Sequence, residues 1–147
     1  MNQQRIEQHI KLNHLRRRAV DKEKVKSIIE SSIMTMSVVN TIPLVERSSI
    51  LIFRETYESI RQLGDAKWWL LGYEPENHEV SMEILKEMEI NEKTKLNHLN
   101  RFKRIRNDIN YRGFKTTVDQ AKEITDFWNV CSEEIILILN KELTSGN

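Results

Sequence analysis

Apolar residues recur every three or four positions through nearly the whole chain, which is the spacing that one face of an α-helix requires. The longest stretch of this kind covers residues 44–71, and its predicted inner face carries Ile50, Phe53, Tyr57, Ile60 and Leu63. A second lies between Asp21 and Pro43, with an inner face predicted at Val25, Ile28, Ile29, Ile33 and Met36, and a third begins at Thr117. Only four glycines and two prolines interrupt the 147 residues, which leaves little room for the many turns of an all-β fold. The pattern therefore predicts an all-α protein.

Shorter stretches with the same spacing complete the predicted fold. Residues 2–18 form a first helix, residues from 77 onward a short fourth helix, and residues 92–112 a fifth. Residues that favour helix ends stand at the boundaries, namely Asp21, Gly72, Asn77, Gly113 and the pair Thr117 and Gln120. Because the connections are short, we expect an up-and-down bundle of four to five antiparallel helices. The chain 1–147 fits a single domain, with 1–18 as an additional N-terminal helix or arm.

Composition excludes several kinds of function. Cys131 is the only cysteine and lies on an apolar helical face, so we expect a buried thiol rather than a nucleophile. The sequence has no Cys-x-x-Cys, His-Glu-x-x-His or paired-carboxylate spacing and no Gly-rich phosphate loop, so we expect neither a metal nor a cofactor. The N-terminus lacks a signal-peptide pattern, and no apolar run is long enough to cross a bilayer. These features predict a cytoplasmic protein without membrane contact.

Charge is segregated in the middle of the chain, although the formal net charge is only +1. Residues 74–92 hold seven acidic residues against one basic residue, a local net charge of −6, and residues 93–115 hold eight basic residues against one acidic residue, a net of +7. Two interpretations remain open. The two adjacent helices neutralise each other, or the basic helix keeps enough free Lys and Arg to follow a phosphate backbone.

Polar groups are concentrated near the end of the basic helix, in the segment Arg106-Asn107-Asp108-Ile109-Asn110-Tyr111-Arg112-Gly113. At 100° per residue, Arg106, Asn107, Asn110 and Tyr111 fall within an arc of about 140°. A cation, two carboxamides and a phenol therefore share one surface of the helix. That surface either grips a phosphodiester or ties neighbouring helices together.

This segment, late in an all-helical chain of this length, resembles the signature of the HEPN superfamily, in which an Arg, commonly followed by Asn, precedes a His by four to six residues. The segment Phe53-Arg54-Glu55-Thr56-Tyr57-Glu58-Ser59-Ile60-Arg61 is also similar, and the resemblance covers about residues 20–143. HEPN domains are four- or five-helix bundles, usually dimeric, and many are metal-independent endoribonucleases. They are often encoded beside a minimal nucleotidyltransferase in toxin–antitoxin and defence systems. The resemblance thus implies a homodimer, an RNA ligand and a nucleotidyltransferase partner.

The chain departs from the HEPN signature at the position of the His, which holds Tyr111. In active relatives, two motifs meet across a dimer cleft, where Arg stabilises the phosphate charge and His moves protons. A phenol, with an ordinary pKa near 10, is a poor general base at neutral pH, but it can donate a hydrogen bond or stack on a base. The Tyr that some relatives carry two places after the His, where it is adenylylated, is Gly113 here. The resemblance gives Arg106, Asn107 and Tyr111 as candidate catalytic residues and Lys103, Arg104, Asn110 and Arg112 as candidate contacts to nucleic acid.

The remaining histidines and the tryptophan pair are expected to have structural roles. His78 opens the fourth helix, where we expect a capping or surface role, with replacement of the missing motif imidazole as the alternative. His98 lies on the apolar side of the motif helix and is predicted to be a core or interface residue. Trp68 and Trp69 point about 100° apart on one helix, so we expect one in the core and the other at a subunit contact, with base stacking as the alternative.

Three functions follow from these observations. In the first, which we favour, the chain is an RNA- or nucleotide-binding or regulatory protein with weak or no catalysis, because Tyr111 replaces the imidazole. In the second, it is a metal-independent endoribonuclease toxin. In the third, it is a purely structural helical dimer, in which Arg106 touches no ligand, or a protein-interaction module. The first two require an Arg106 guanidinium that faces solvent in a crevice, and the sequence predicts no imidazole beside it.

Overall fold

A computed structural model describes residues 1–145, and it consists there of six α-helices, one short 3-10 helix and two short strands. In chain order these are α1 (Gln3–Lys11), β1 (Leu15–Arg17), α2 (Lys22–Val39), α3 (Glu46–Leu71), β2 (Tyr73–Pro75), α4 (His78–Leu85), the 3-10 helix (Lys93–Asn97), α5 (His98–Arg112) and α6 (Val118–Ser145). The prediction of an all-α helical bundle is confirmed. Among the described residues, none of the helices combines the length and the apolar character that crossing a bilayer demands.

The core forms around α3, which packs against α2, α4, α5 and α6. The predicted inward stripe of α3 is confirmed, because Phe53, Tyr57, Ile60 and Leu63 are each at most 1 % exposed. Burying side chains of this size contributes about 1.5–3 kcal/mol each to folding. Phe102 of α5 meets the ring of Phe53 edge-on, with centroids 6.3 Å apart. This contact fixes the motif helix on the central helix.

The predicted helix ends are confirmed at five boundaries. At the starts of α2, α4 and α6, a side-chain oxygen accepts a hydrogen bond from the backbone N–H three residues further on; the acceptors are Asp21, Asn77 and Thr117. The Thr117 bond is one half of the predicted capping box, and the other half is also present. Gly72 and Gly113 end α3 and α5 in the left-handed conformation, with φ of 89° and 68°.

The N-terminal segment differs from the helix predicted over residues 2–18. Helix α1 ends at Lys11, and Leu15–Arg17 forms a strand instead. Strand β1 pairs antiparallel with β2, which sets Arg16 opposite Glu74. The prediction of one long helix was wrong because the hydrogen-bonding partner of this segment lies far along the chain, where local helical spacing gives no sign of it.

A second, smaller cluster of buried residues forms where α1, β1 and α4 meet the end of α3. It consists of Ile6, Leu15, Trp68, Val80 and Ile84. The Trp68 indole Nε1 donates a hydrogen bond to the Val80 carbonyl at 2.9 Å, so the ring is satisfied inside the subunit. The N-terminal helix is therefore part of the packed domain rather than a free arm.

Both indoles of the tryptophan pair lie inside the subunit, so the prediction that one of them faces outward is wrong. Trp68 is 0 % exposed and Trp69 is 9 % exposed. The Lys24 ammonium lies over the Trp69 ring, 4.2 Å from its centroid. Because α2 covers the second indole, Trp69 is closed to a second subunit or a nucleic-acid base.

Two further expectations about burial have opposite outcomes. Ile33 was predicted in the core of α2 but is 46 % exposed, because the buried stripe passes through Val25, Ile29 and Met36 and drifts away from position 33.

Cys131 is buried, as predicted, and burial raises the pKa of its thiol to about 11. The thiol is therefore protonated and inert at neutral pH.

Helices α3 and α4 approach each other most closely at Gly64. A Cβ atom at this position would lie 2.2 Å from the carbonyl oxygen of Ser81, so only glycine fits. The Ser81 hydroxyl also donates a hydrogen bond to the Asp65 carboxylate. These contacts hold the start of α4 against the middle of α3, opposite the motif segment of α5.

Candidate functional site

A cleft of about 410 Å³ opens between the middle of α3, the start of α4 and the C-terminal half of α5. Its lining residues are Tyr57, Glu76, Asn77, His78, Glu79, Lys103, Arg106, Asn107 and Tyr111. The aromatic contact between α3 and α5 and the glycine contact between α3 and α4 hold these elements in place. The cleft is therefore built into the packed bundle.

Arg106 lies in this cleft without a direct ion pair, and the nearest carboxylate that interacts with its charge is that of Glu58, which is already hydrogen-bonded to Arg61. It is half-buried, and among residues 1–145 no carboxylate oxygen lies within 4.0 Å of its guanidinium. Its Nη1 is 3.4 Å from Asn107 Oδ1, and its Cζ is 5.8 Å from the centroid of the Tyr57 ring. A guanidinium that serves only to link helices normally forms ion pairs with carboxylates. The N–H donors of Arg106, in contrast, remain available to an anion.

Tyr57 forms the inner wall of the cleft and carries an unusual hydroxyl. The residue is 1 % exposed, and its Oη has no hydrogen-bond partner among the described residues. Burial raises the pKa of Tyr57 to about 12, although the cations of Arg106 and Arg61 oppose the shift. The hydroxyl is protonated at neutral pH, and the described residues leave its hydrogen-bonding capacity unused.

His78 lines the same cleft, where the sequence predicted no imidazole. The expected capping role is wrong, because the side chain that caps α4 is that of Asn77 and His78 is the first helical residue. The Nδ1 atom of His78 is buried and without a hydrogen-bond partner among residues 1–145. Burial lowers the pKa of His78, and the nearby cations of Arg61 and Arg106 lower it further.

The predicted site residues divide into two groups. Lys103, Arg106, Asn107 and Tyr111 line the cleft, with Tyr111 79 % exposed at its rim.

The other predicted contacts lie outside the cleft. The Asn110 side chain is exposed and accepts a hydrogen bond of 3.1 Å from Arg54 Nη2 on α3. Arg104 and Arg112 are exposed and do not line the cleft. The common surface predicted for Arg106, Asn107, Asn110 and Tyr111 is therefore divided, and Asn110 belongs to the contact with α3.

The acidic segment 74–92 pairs mainly with the N-terminal part of the chain. Four of its acids form ion pairs there, Glu74 with Arg18 at 2.8 Å, Glu76 with Arg16 at 2.9 Å, Glu83 with Arg5 at 2.9 Å, and Glu87 with the N-terminal amine at 2.6 Å, and Glu83 also lies 2.9 Å from His9 Nε2. Among the described residues, two ion pairs join the acidic segment to the basic segment 93–115, between Glu79 and Lys103 at 4.0 Å and between Glu89 and Lys93. Mutual neutralisation of the two oppositely charged helices is therefore wrong for most of these acids.

This arrangement determines the charge of the cleft. Of its lining carboxylates, Glu76 is matched by Arg16 and Glu79 by Lys103. Arg106 is the charged lining residue that has no ion pair within 4.0 Å among the described residues. The cleft thus holds one unpaired guanidinium, and behind its surface lie two buried polar atoms without hydrogen-bond partners, the Tyr57 hydroxyl and His78 Nδ1.

A different cavity, of about 300 Å³, contains His98 but suits an anion less well. Three acidic residues, Asp119, Glu123 and Asp126, line it. His98 has a side chain that is 48 % exposed and lies 3.5 Å from a Glu123 oxygen, so its predicted role in the core is wrong. Across residues 1–145, no group of three or more His, Cys, Asp or Glu side chains is arranged to hold a metal ion.

The sequence did not indicate Tyr57 as a site residue, and it gave a functional role for His78 only as an alternative. The spacing of Tyr57 on α3 predicted a core residue, which is correct for the ring but gives no information about the unmatched hydroxyl. The sequence does place His78 at the start of a helix, and packing of that helix against its neighbours could bring the imidazole close to the motif.

Comparison of the chain with models of protein families, with characterised proteins and with solved structures gives no significant match.

Proposed function

We propose that this protein binds RNA at the Arg106 cleft and acts as an RNA-binding or regulatory protein of the HEPN type. The observation that carries the proposal is the guanidinium of Arg106, which is half-buried, unmatched by a described carboxylate and open to a cleft of about 410 Å³. A charge in this position is costly unless an anion joins it. Arginine also suits phosphate better than lysine, because its planar donors form two parallel hydrogen bonds.

The charge of the cleft favours an internal phosphodiester over a terminal phosphate. A phosphodiester carries one negative charge, whereas a phosphate monoester carries about −1.5 to −2 at neutral pH and a nucleoside triphosphate carries more. One unmatched cation in the lining balances the first of these and leaves the others undercompensated. The carboxylates of Glu76 and Glu79 at the rim add repulsion for a ligand with higher charge. A nucleic-acid chain is therefore favoured over a free nucleotide.

The rim of the cleft suits a single-stranded chain. Tyr111 is 79 % exposed, so its ring is accessible to a base that has left its stack. The Asn107 carboxamide can donate or accept hydrogen bonds with base edges and ribose hydroxyls, and the carboxylates of Glu76 and Glu79 can accept them. RNA offers the 2′-hydroxyl as a partner for these groups, and DNA does not.

A second function, metal-independent cleavage of the bound RNA, is favoured by one observation. His78 lines the same cleft as Arg106, so an imidazole is available although Tyr111 occupies the motif position. The wider setting rests on the resemblance to HEPN domains alone. On that basis, we infer a cytoplasmic homodimer with a minimal nucleotidyltransferase partner, in a toxin–antitoxin or defence-type system.

The proposal is tested by fluorescence anisotropy with a labelled mixed-sequence single-stranded RNA, at several salt concentrations and with a chelator present. The test variant is Arg106→Ala, and the matched control is Arg104→Ala, an exposed arginine on the same helix outside the cleft. Losing charge-assisted hydrogen bonds worth about 1.5–3 kcal/mol weakens binding about 10- to 150-fold. We expect this loss for Arg106→Ala and less than a threefold change for Arg104→Ala. Equal losses of RNA affinity in both variants would show that RNA binds by non-specific attraction to surface charge, which contradicts the proposal.

A further inference from the structure

The histidine that shares the cleft with Arg106 comes from a different helix. His78 is the first residue of α4, and it lines the cleft together with Arg106 and Tyr57. Its Nδ1 is buried and has no hydrogen-bond partner within the described part of the chain. Because this nitrogen is closed to solvent, Nε2 is the ring nitrogen that remains for a ligand in the cleft. With the proton on Nδ1, Nε2 carries the free electron pair.

The surroundings of His78 favour its neutral form. Burial lowers the pKa of the ring, and the cations of Arg61 on α3 and Arg106 on α5 lower it further. Glu58 on α3 opposes this shift, but its carboxylate and that of Asp65 are both hydrogen-bonded to Arg61. The start of α4, where the ring sits, is the positive end of a helix, which also disfavours an imidazolium. A neutral imidazole beside a guanidinium is what proton abstraction next to a phosphate requires.

The other ionisable groups in the lining are less suited to moving a proton at neutral pH. Burial raises the pKa of Tyr57 to about 12, so its hydroxyl stays protonated and acts as a donor. The two lining carboxylates, Glu76 and Glu79, are already engaged in ion pairs. Lys103 is one of the partners in those pairs. His78 is therefore the group whose chemistry complements a phosphodiester held by Arg106.

We propose that His78 is the general base of RNA cleavage within one subunit and replaces the imidazole that the motif lacks. This inference rests on the RNA binding proposed for the cleft. Arg106 holds the scissile phosphodiester, and Nε2 of His78 takes the proton from the adjacent ribose 2′-hydroxyl. The 2′-oxygen forms a bond to phosphorus while the bond from phosphorus to the 5′-oxygen breaks. The 5′-oxygen leaves with a proton from water, and the imidazolium returns its proton to solvent. The products are a 2′,3′-cyclic phosphate and a 5′-hydroxyl, and nothing is oxidised or reduced.

The test incubates the purified full chain with a labelled mixed-sequence RNA in excess chelator and follows cleavage on denaturing gels. Product ends are assigned by whether phosphatase acts on the 3′ end before or only after acid opening of the cyclic phosphate. The variants are His78→Ala and His78→Gln, with His98→Ala as the matched control because that histidine lies in a different cavity. Circular dichroism and a thermal melt of each variant check that the fold is retained. RNA affinity is measured in parallel by anisotropy.

We expect both His78 variants to lose about 100- to 10,000-fold in cleavage rate, while their RNA affinity stays within threefold of the parent protein. Free imidazole in the buffer restores part of the rate of His78→Ala and none of the rate of Arg106→Ala. The rate of the parent protein falls as the pH drops below the ordinary range of an imidazole, and this acidic limb disappears in His78→Ala. His98→Ala cleaves like the parent.

The outcomes separate this inference from the RNA binding on which it rests. Cleavage that persists unchanged in both His78 variants overturns the role of His78. Binding that depends on Arg106 without any cleavage by the parent protein overturns it as well, and leaves the proposed RNA binding intact. RNA affinity that does not depend on Arg106 overturns the proposed function itself. Cleavage of a fully 2′-deoxy oligonucleotide at the same rate contradicts attack by the 2′-hydroxyl.

Discussion

Replacing Gly64 with alanine tests the contact that brings His78 opposite Arg106. The added Cβ would lie 2.2 Å from the Ser81 carbonyl oxygen, and Cβ contacts under 3.0 Å essentially never occur, so the two helices must separate by at least about 0.8 Å. Both contacting groups belong to the backbones of α3 and α4, so a change of rotamer cannot relieve the overlap. Such overpacking costs about 1–3 kcal/mol, and the higher helix propensity of alanine returns about 0.5–1 kcal/mol. We expect a net loss near the upper end, about 2 kcal/mol in the free energy of unfolding.

The loss is measured by urea denaturation followed by circular dichroism, together with a fall in melting temperature of roughly 4–8 °C. The control is Gly113→Ala, the same change from hydrogen to methyl at a site where nothing lies within 4 Å of the new Cβ. In that variant, the free energy of unfolding should fall only by the cost of a left-handed backbone conformation for alanine, about 1 kcal/mol. Gly64→Ala should also weaken RNA binding, because it displaces α4 from the cleft. A Gly64→Ala protein as stable as the parent would refute the close packing of α3 on α4.

Three further predictions follow from single contacts. Tyr57→Phe removes a buried hydroxyl without a described partner, so urea denaturation should show an unchanged free energy of unfolding or a gain of up to about 1 kcal/mol; a loss above 1 kcal/mol contradicts this. Glu79→Gln frees Lys103, 4.0 Å away, so RNA affinity by anisotropy should rise a few-fold at low salt and converge with the parent at high salt. Stability should fall between pH 9 and about 11, because burial raises the pKa of Cys131 to about 11 and the unfolded thiol ionises first; Cys131→Ala should flatten this part of the pH profile.

The sequence predicted the features of the fold that depend on neighbours along the chain. The stripe from Phe53 to Leu63 follows directly from the 3.6-residue period, and it places the inner face of α3 correctly. The ends of α3 and α5 follow from Gly72 and Gly113, whose left-handed conformation most other residues avoid. The sequence also predicted four residues of the cleft together, because Lys103, Arg106, Asn107 and Tyr111 lie close to one another on α5.

The features that the sequence could not predict depend on which elements meet in space. The approach of His78 to Arg106 requires α4 to pack on α3 at one particular glycine, and no local pattern specifies that contact. Asn110 falls within the predicted arc on α5, but an arc on an isolated helix does not say which of its residues will bond to a side chain of a neighbouring helix, as Asn110 does to Arg54. The strand at Leu15–Arg17 was mistaken for helix for the same reason, because its partner strand is distant in sequence.

The most direct test of the account is a measurement of the arginine side chains themselves. In ¹H–¹⁵N spectra of the labelled protein, the Nε–H resonance of each arginine is followed during titration with a short 2′-deoxy oligonucleotide, which offers phosphodiesters but no 2′-hydroxyl to cleave. The Arg106 resonance, assigned with Arg106→Lys, should move with saturation, while those of Arg104 and Arg112 outside the cleft move little. An Arg106 signal that stays unchanged, or equal shifts at all three arginines, would contradict an anion site in this cleft.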